Sequence, residues 1–586
     1  MNLQQVVPEA AARCGRDPSR IMDVVREIQA RFGRVSDEAI HLIASELKVP
    51  PVDVKGVVTF YAFLSREQKG RTVIRLSECI GCLGATGHES AEELQKQLGI
   101  KFGETTSDGA ITLERTACIG MCDQGPAALV NKVPVAKLTP ERVTDLIAAV
   151  RGEKLPEAGF APVDNVHNKG EVVFAPMELG AGLKHALALD PAGVIGEVKA
   201  SRLRGRGGAG FPAGTKWEFC ARAQGERKVV ICNADEGEPG TFKDREILKQ
   251  VPAHVFEGMA IAGYAIGAKE GILYLRGEYA YMLPALEKTL EQMREKGVLG
   301  KGLGDGKHDF DIRIQLGAGA YVCGEESALI SSCEGGRGVP KDRPPFPVER
   351  GYLGLPTVVN NVETFAAVAR ILEKGAGWFA SHGTRDSTGT KLLSVSGDCQ
   401  RPGVYELPYG TTVRELLAMV GGDEAQAVLV GGPSGNFVKP ADFDRKIGYE
   451  ALATGGSVMV FGPKRDLLEV VSGFMHFFVD ESCGHCVPCR VGNVLIKERL
   501  DKIRAGHGVA EDLGYLEELC TTVKKMSRCG LGQSSPNPVA TTLAHFRELY
   551  EKRLTQSNGL QPDFDLNAAL QAAVQAQGRA PVFHED

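Results

Sequence analysis

Leu203-Arg-Gly-Arg-Gly-Gly-Ala-Gly-Phe-Pro-Ala-Gly-Thr-Lys-Trp217 is the stretch on which the fold of this chain turns. It holds G-x-G-x-x-G at Gly205, Gly207 and Gly210. In a dinucleotide-binding domain that spacing follows a strand and opens a helix. Residues 194–201, just ahead of it, have helical spacing, and Pro212 stands where the next helix would open. The loop therefore reads as an anion site of another kind. Its glycines let backbone N–H groups approach a phosphate, and Arg204, Arg206 and Lys216 add charge. Phe211 and Trp217 suit stacking on an aromatic heterocycle. A flexible surface loop is the alternative.

Two further loops match it. The short apolar strand Lys228-Val-Val-Ile231 runs into Cys232-Asn-Ala-Asp-Glu-Gly-Glu-Pro-Gly240. Ligands of α/β domains bind beyond the carboxyl ends of strands. Asn233, Asp235, Glu236 and Glu238 would offer acceptors to sugar hydroxyls there, against the plainer reading of a solvated acidic turn. Leu316-Gly-Ala-Gly-Ala-Tyr-Val-Cys-Gly-Glu-Glu326 repeats the pattern of glycines, an aromatic ring and carboxylates. Pro344-Pro-Phe-Pro347 and Pro356-Thr-Val-Val-Asn-Asn-Val-Glu-Thr364 complete the set.

A second centre lies near the C-terminus, at Glu481-Ser-Cys-Gly-His-Cys-Val-Pro-Cys-Arg490. Three thiolates from one turn, Cys483, Cys486 and Cys489, with one distant partner, are the ligand set of a 4Fe–4S cluster. A zinc ribbon would show two separated C-x2-C pairs instead. Cys529 and Cys520 compete for the fourth place; Gly530 and Gly532 beside Cys529 favour it, because glycine lets the backbone wrap a cluster.

The chain has 586 residues, 43% hydrophobic and 24% charged, with net charge −6. This is the balance of a globular protein of several domains, and nothing in it points to nucleic acid. No apolar run is long enough to span a bilayer. The first residues lack an apolar export core, so a cytoplasmic location is expected. The 15 cysteines then read as metal ligands and buried thiols rather than disulfides. Apolar spacing predicts helices over residues 18–32 and 36–47, a strand at 71–76, a helix at 90–98, a strand at 110–114 and a helix at 140–150. Residues 153–174, rich in Gly, Pro and charge, read as a linker. From there to 388 strands and helices alternate; residues 389–465 are β-rich, residues 466–556 are helical, and residues 557–586 form a polar tail.

Together the loops and the cysteine motif resemble the NADH-oxidising flavoprotein subunit of respiratory complex I and its relatives, over about residues 175–550. The resemblance implies an α/β multidomain chain. Its parts would be a Rossmann-like FMN and NADH domain (175–388), a ubiquitin-like β module (389–465) and a helical 4Fe–4S bundle (466–556). FMN would lie against Gly205, Arg206, Gly207, Gly208 and Lys216, with Asn233, Asp235 and Glu236 at its ribityl and phosphate groups. Tyr321, Gly324, Glu325, Asn360, Asn361 and Thr364 would surround the rest. NADH would meet Phe211, Phe219, Arg343 and Phe346, with Glu238 and Glu326 on its polar groups. Arg343 stands where many relatives have Lys.

Residues 1–66 (helical) and 67–152 resemble the thioredoxin-like 2Fe–2S subunit of the same enzymes, on Val57-Val-Thr-Phe-Tyr61 and Cys118-Ile-Gly-Met-Cys-Asp-Gln-Gly-Pro126. The family pattern begins C-x4-C, but Ser77 stands at its first cysteine. Cys79, Cys82, Cys118 and Cys122 remain as a rearranged ligand set; a cluster-free docking module is the alternative. The fusion resembles the diaphorase α subunit of cytoplasmic NAD-reducing nickel–iron hydrogenases. That implies partners: an iron–sulfur electron-transfer subunit and a hydrogenase or other dehydrogenase module. NAD-dependent formate dehydrogenase and complex I flavin subunits are the nearest alternatives. An electron-transfer scaffold with a decayed nucleotide site and a plain Rossmann dehydrogenase are the more distant ones. No catalytic acid or base is expected, since FMN itself accepts the hydride and releases single electrons.

Overall fold

The computed structural model describes residues 2–79, 87–152, 159–555 and 566–579. A five-stranded sheet lies at its centre, in the order Thr357–Asn361, Val229–Ala234, Glu270–Leu275, His308–Leu316, Gly300–Gly302. The first four strands are parallel and the last is an antiparallel edge. Parallel strands are apolar throughout because both faces are covered. Val230, Cys232 and Leu273 turn to a core shared with helices Pro252–Ile266 and Val362–Lys374. Val229, Ile231, Ile272 and Tyr274 turn the other way.

What covers that second face departs from the expected organisation. Helices Leu3–Arg13, Ile21–Phe32, Asp37–Leu47 and Pro51–Phe60 share one core with those four residues. The helical segment 1–66 is thus a layer of the central α/β sandwich. Its own helices form as the sequence implies: Ser36 accepts a hydrogen bond from the Ala39 N–H at the start of Asp37–Leu47. Each fully buried Val or Ile in this layer contributes about 1.5–3 kcal/mol.

The thioredoxin-like part is a four-stranded sheet in the order Ile111–Thr116, Thr72–Ser77, Ala128–Val130, Val133–Val135, covered by helices Gly87–Leu98 and Pro140–Arg151. The β-rich module is a six-stranded sheet in the order Asn436–Val438, Ala427–Val430, Ser457–Phe461, Thr390–Gly397, Gly403–Pro408, Val166–Asn168. Its sixth strand comes from the stretch read as a linker. Residues 166–168 carry no period long enough to reveal a strand; the open edge of Gly403–Pro408 recruits them. Helices Leu467–Glu481, Val487–Arg504, Ala510–Met526 and Asn537–His545 make the C-terminal bundle. A helix, Leu566–Gln577, lies within the stretch read as a polar tail. No helix of the described residues is long and apolar enough to cross a membrane.

Candidate functional site

The chain leaves strand Val229–Ala234 and winds outward through Glu270–Leu275 and His308–Leu316. It then returns to place Thr357–Asn361 on the opposite side of Val229–Ala234. The strand order therefore reverses between these two neighbours, and the carboxyl ends of both open on the crevice where such sheets bind ligands. Asn233 and Asp235 stand at one end, Asn360 and Asn361 at the other. The glycine-rich loop is brought to the same place: the Arg206 N–H donates to Thr364 Oγ1 at 3.0 Å. A side chain at Gly207 would come within 2.9 Å of Asn361 Cβ. The loop follows helix Pro191–Ala200, as expected, but it does open a helix, Ala213–Arg222, with Pro212 as its N-cap.

The side chains divide into those that face the crevice and those that build it. Lys216 Nζ lies 2.9 Å from Glu326 and donates to the Val359 carbonyl at 3.2 Å. Asn233 Nδ2 donates to the Gly324 carbonyl at 2.8 Å. Asp235 Oδ2 is buried with no hydrogen-bond partner, and burial pushes its carboxyl well above the usual range. An orphaned acceptor beside open glycine loops fits the hydroxyl-rich chain of a flavin nucleotide. Glu325 instead caps helix Glu326–Cys333, accepting from the Ser327 and Ala328 N–H groups at 3.0 Å.

Four residues named from the sequence have partners within the protein. Glu236 is taken up by the N–H groups of Asp244 and Arg245 and by the Tyr279 hydroxyl, at 2.8, 3.2 and 2.9 Å. Glu238 is buried against Tyr321 Oη and Ser434, and burial raises it to about 7. Arg206 turns its guanidinium inward, over the Tyr409 ring and onto the Thr388 carbonyl, so only its backbone stays with the loop. Trp217 is fully buried and donates to Asn360 Oδ1 at 2.9 Å, which removes it from any stacking surface. Phe211, Phe219 and Phe346 are by contrast each about half exposed, 48–49%. Phe211 and Phe219 lie 6.5 Å apart, and helix Pro347–Arg350, just after Phe346, packs on Ala213–Arg222. These three rings form an apolar rim suited to a nucleotide base. Arg343 pairs with Glu325 and lies 3.5 Å from Glu326.

The cysteines gather in two places. Cys79, Cys118 and Cys122 are buried with their sulfurs within 4.8 Å of one another. Ser77 instead donates to the Ala117 carbonyl at 3.1 Å, so Cys79 enters the group without it. Cys82 lies outside the described residues. Cys483, Cys486, Cys489 and Cys529 share one cluster with Tyr321, Phe478 and Leu531. Cys486 is the N-cap of Val487–Arg504 and Cys529 that of Gly530–Ser534, and burial pushes the Cys529 thiol up. Ser482 Oγ and Asn493 Nδ2 lie 3.3 and 3.4 Å from Cys489 Sγ. Cys520 packs in a separate core with Leu516 and Val523. A cleft of about 450 Å3 between the two groups is lined by Cys79, Cys118, Glu278, Phe477 and Cys483.

Four family models match the chain in turn. They are the thioredoxin-like [2Fe-2S] ferredoxin (7–151), the Nuo51 FMN-binding domain (198–370), the SLBB domain (392–437) and the NADH-ubiquinone oxidoreductase-F iron-sulfur binding region (469–553). The NAD-reducing hydrogenase HoxS subunit alpha of Cupriavidus necator is 48% identical, covering 94% of this chain and 95% of that subunit. The chain belongs to the family of NAD-reducing hydrogenase alpha subunits. An NADH-quinone oxidoreductase subunit of Aquifex aeolicus is 41% identical but covers only 64% of this chain, and 90% of its own length. A crystal structure of NAD+-reducing [NiFe]-hydrogenase in the H2-reduced state superposes with TM-score 0.89, 39% identity and 97% coverage of both chains. The hydrogenase alpha subunit family thus accounts for the fusion as well as the flavin half. The chain is an oxidoreductase module of the NADH dehydrogenase (diaphorase) type, with FMN, 2Fe–2S and 4Fe–4S cofactors and NADH as substrate. Its relatives are subunits of larger assemblies.

Several residues of this alpha subunit site escaped the sequence reading. Tyr449, from the β-rich module, donates to the Gly205 carbonyl at 2.6 Å and holds Arg204 over its ring. Lys391, from the same module, pairs with Glu363 and donates to the Arg206 carbonyl at 3.2 Å. Burial, with Lys243 and Arg206 alongside, lowers Lys391 to about 7, while Lys391 and Lys243 hold Glu363 ionised below its usual range. Glu481 accepts from the Tyr321 N–H at 2.9 Å. Only Glu481 had a local signal, its place two residues before Cys483.

Proposed function

We propose that this chain exchanges hydride between NAD(H) and FMN and passes single electrons through the Cys483, Cys486, Cys489, Cys529 site to an iron–sulfur partner subunit. FMN, when bound, supplies the two-electron to one-electron conversion. The chain's own residues bind, orient and exclude water. The backbone of Gly205, Arg206, Gly207 and Gly208, with Lys216, holds the flavin phosphate region. Asn233, Asp235, Asn360, Asn361 and Thr364 hold the ribityl chain. Tyr321, Gly324 and Glu325 shape the crevice wall. Phe211, Phe219 and Phe346 receive the adenine of NADH, and Glu326, set by Lys216 and Arg343, meets its ribose. Glu236 and Glu238 stabilise the loops rather than touch the nucleotide.

Tyr321 is the observation that carries this reading. Its ring stands edge-on to Phe477 at 5.0 Å, its N–H donates to Glu481, and its hydroxyl reaches Glu238 at 2.5 Å. One residue of the crevice wall is thereby joined to the helix that delivers the first cluster cysteine. The partner's seat is supported by an apolar stripe on helix Val487–Arg504. Val487, Val491, Val494 and Leu495 face solvent there, with Met526 beside Cys529. Spacing of four, three and one keeps them on one helix face, and such a patch beside a redox site suits a docking protein. A cytoplasmic location, next to the NAD(H) pool, belongs to the same reading.

Cys529→Ser and Cys520→Ser test the assignment together. Loss of the 4Fe–4S absorbance and of NADH-driven benzyl viologen reduction is expected for Cys529→Ser, with Cys520→Ser retaining both. The opposite pattern would transfer the fourth ligand to Cys520. An FMN-replete wild-type chain unable to reduce viologen would overturn the function.

A further inference from the structure

Three groups of the flavin domain reach into the cysteine loop of the thioredoxin-like domain. Arg276 follows strand Glu270–Leu275 and is 4% exposed. Its guanidinium donates to the Cys118 carbonyl at 2.6 Å and also to the Glu236 carbonyl, in the acidic loop of the flavin crevice. One buried cation therefore holds one carbonyl from each cofactor loop. Glu278 pairs with it at 2.9 Å. Arg245, equally buried, donates to the Gly120 carbonyl and pairs with Asp123 at 3.2 Å. The Gly240 N–H, at the end of the same acidic loop, points at Cys122 Sγ from 3.3 Å. None of these three belongs to the thioredoxin-like domain.

Hydrogen bonds to ligand sulfurs and nearby positive charge favour the reduced, more negative form of an iron–sulfur cluster and raise its potential. We propose that Arg276, with the Gly240 N–H, is a positioning and tuning device by which the flavin domain sets the potential of the 2Fe–2S site. Arg276 locks the spacing between the acidic loop and residues 118–122. The backbone N–H of Gly240 then stays on Cys122, and a buried cation stays beside the cluster. The site is consequently shared: its thiols come from one domain and its electrostatics from the other. Residues 67–152 by themselves would hold the cluster at a lower potential. Glu236 makes the link two-sided, because its carbonyl and that of Cys118 are held by one guanidinium. The inference rests on the cluster being held by Cys79, Cys118 and Cys122.

The test is a redox titration of the full-length, FMN-loaded chain, followed by electron paramagnetic resonance, for wild type, Arg276→Met and Arg276→Lys. The 4Fe–4S signal serves as an internal control. Arg276→Met is expected to lower the 2Fe–2S potential by about 59 mV, a tenfold change in the oxidised-to-reduced ratio at fixed potential. The 4Fe–4S potential should stay in place, and Arg276→Lys should recover part of the shift. An unchanged 2Fe–2S potential in folded Arg276→Met, or equal shifts of both clusters, would overturn the inference. If Arg276→Met does not fold, Arg276→Lys decides alone, since its ammonium lacks the planar fork that sets one N–H on each carbonyl. A downward shift confined to the 2Fe–2S site then supports the proposal, and none overturns it. A wild-type chain without any 2Fe–2S signal would remove the cluster assignment itself, and the inference with it.

Discussion

Glu326 shows how one side chain acquires a role from its neighbours. Two cations, Lys216 at 2.9 Å and Arg343 at 3.5 Å, fix its carboxylate at the crevice mouth. In the pose proposed for NADH, a carboxylate held there would accept ribose hydroxyls and repel a 2′-phosphate. Glu326→Gln keeps the shape and removes the charge. Its ratio of kcat/KM for NADPH to that for NADH should rise about tenfold, or ~1.4 kcal/mol, read from viologen reduction with each nucleotide. An unchanged ratio would place the ribose elsewhere. At this scale the sequence could nominate the glycines, Lys216, Asn233, Asp235 and the cysteines, because their chemistry and spacing stand in short segments. The partners that Glu236, Glu238, Arg206 and Trp217 have within the protein were not legible, because an acidic or aromatic residue in a ligand loop looks the same whether it faces the ligand or the core. Only packing separates the two.

At the level of elements, the loop Cys118–Cys122 depends on a glycine for its seat. Gly120 has φ +73°, and a Cβ there would stand 2.1 Å from Tyr279 Oη. Gly120→Ala meets both a left-handed backbone, costing about 1–3 kcal/mol, and a rigid buried ring. The expected result is loss of 2Fe–2S absorbance and earlier tryptic cleavage of the thioredoxin-like domain, with FMN retained. Retention of the cluster at wild-type stoichiometry would show that the loop docks otherwise. Helices 18–32 and 36–47 and the strand at 228–231 were readable from periodicity and apolar runs. Strand Val166–Asn168 was not, since three residues at a sheet edge carry no period; the neighbouring strand makes them a strand.

The whole molecule is tied together by buried charge as much as by apolar cores. Lys243, Glu363 and Lys391 are each 1% exposed or less, and they join the flavin domain to the SLBB sheet. Lys391→Met leaves Glu363 with Lys243 alone, and breaking such a buried pair costs about 3–5 kcal/mol. A thermal midpoint lowered by several degrees is expected, with FMN released earlier in the melt than in wild type, followed by flavin fluorescence. A variant as stable as wild type would mean that the pair is replaceable by apolar contact. The sequence by itself determined the cofactor chemistry, because thiolate spacing and glycine-rich loops state locally what they bind. It also determined the α/β character of the centre, because buried parallel strands must be apolar on both faces. Only the tertiary structure decided that the first four helices cover the second face of the flavin sheet, and that Cys529 packs in one cluster with Cys483, Cys486 and Cys489 while Cys520 packs in another. It alone brought Arg276 between two cofactor loops. Each of these is a meeting of segments far apart in the chain, and burial and distance between such segments leave no mark on either one alone.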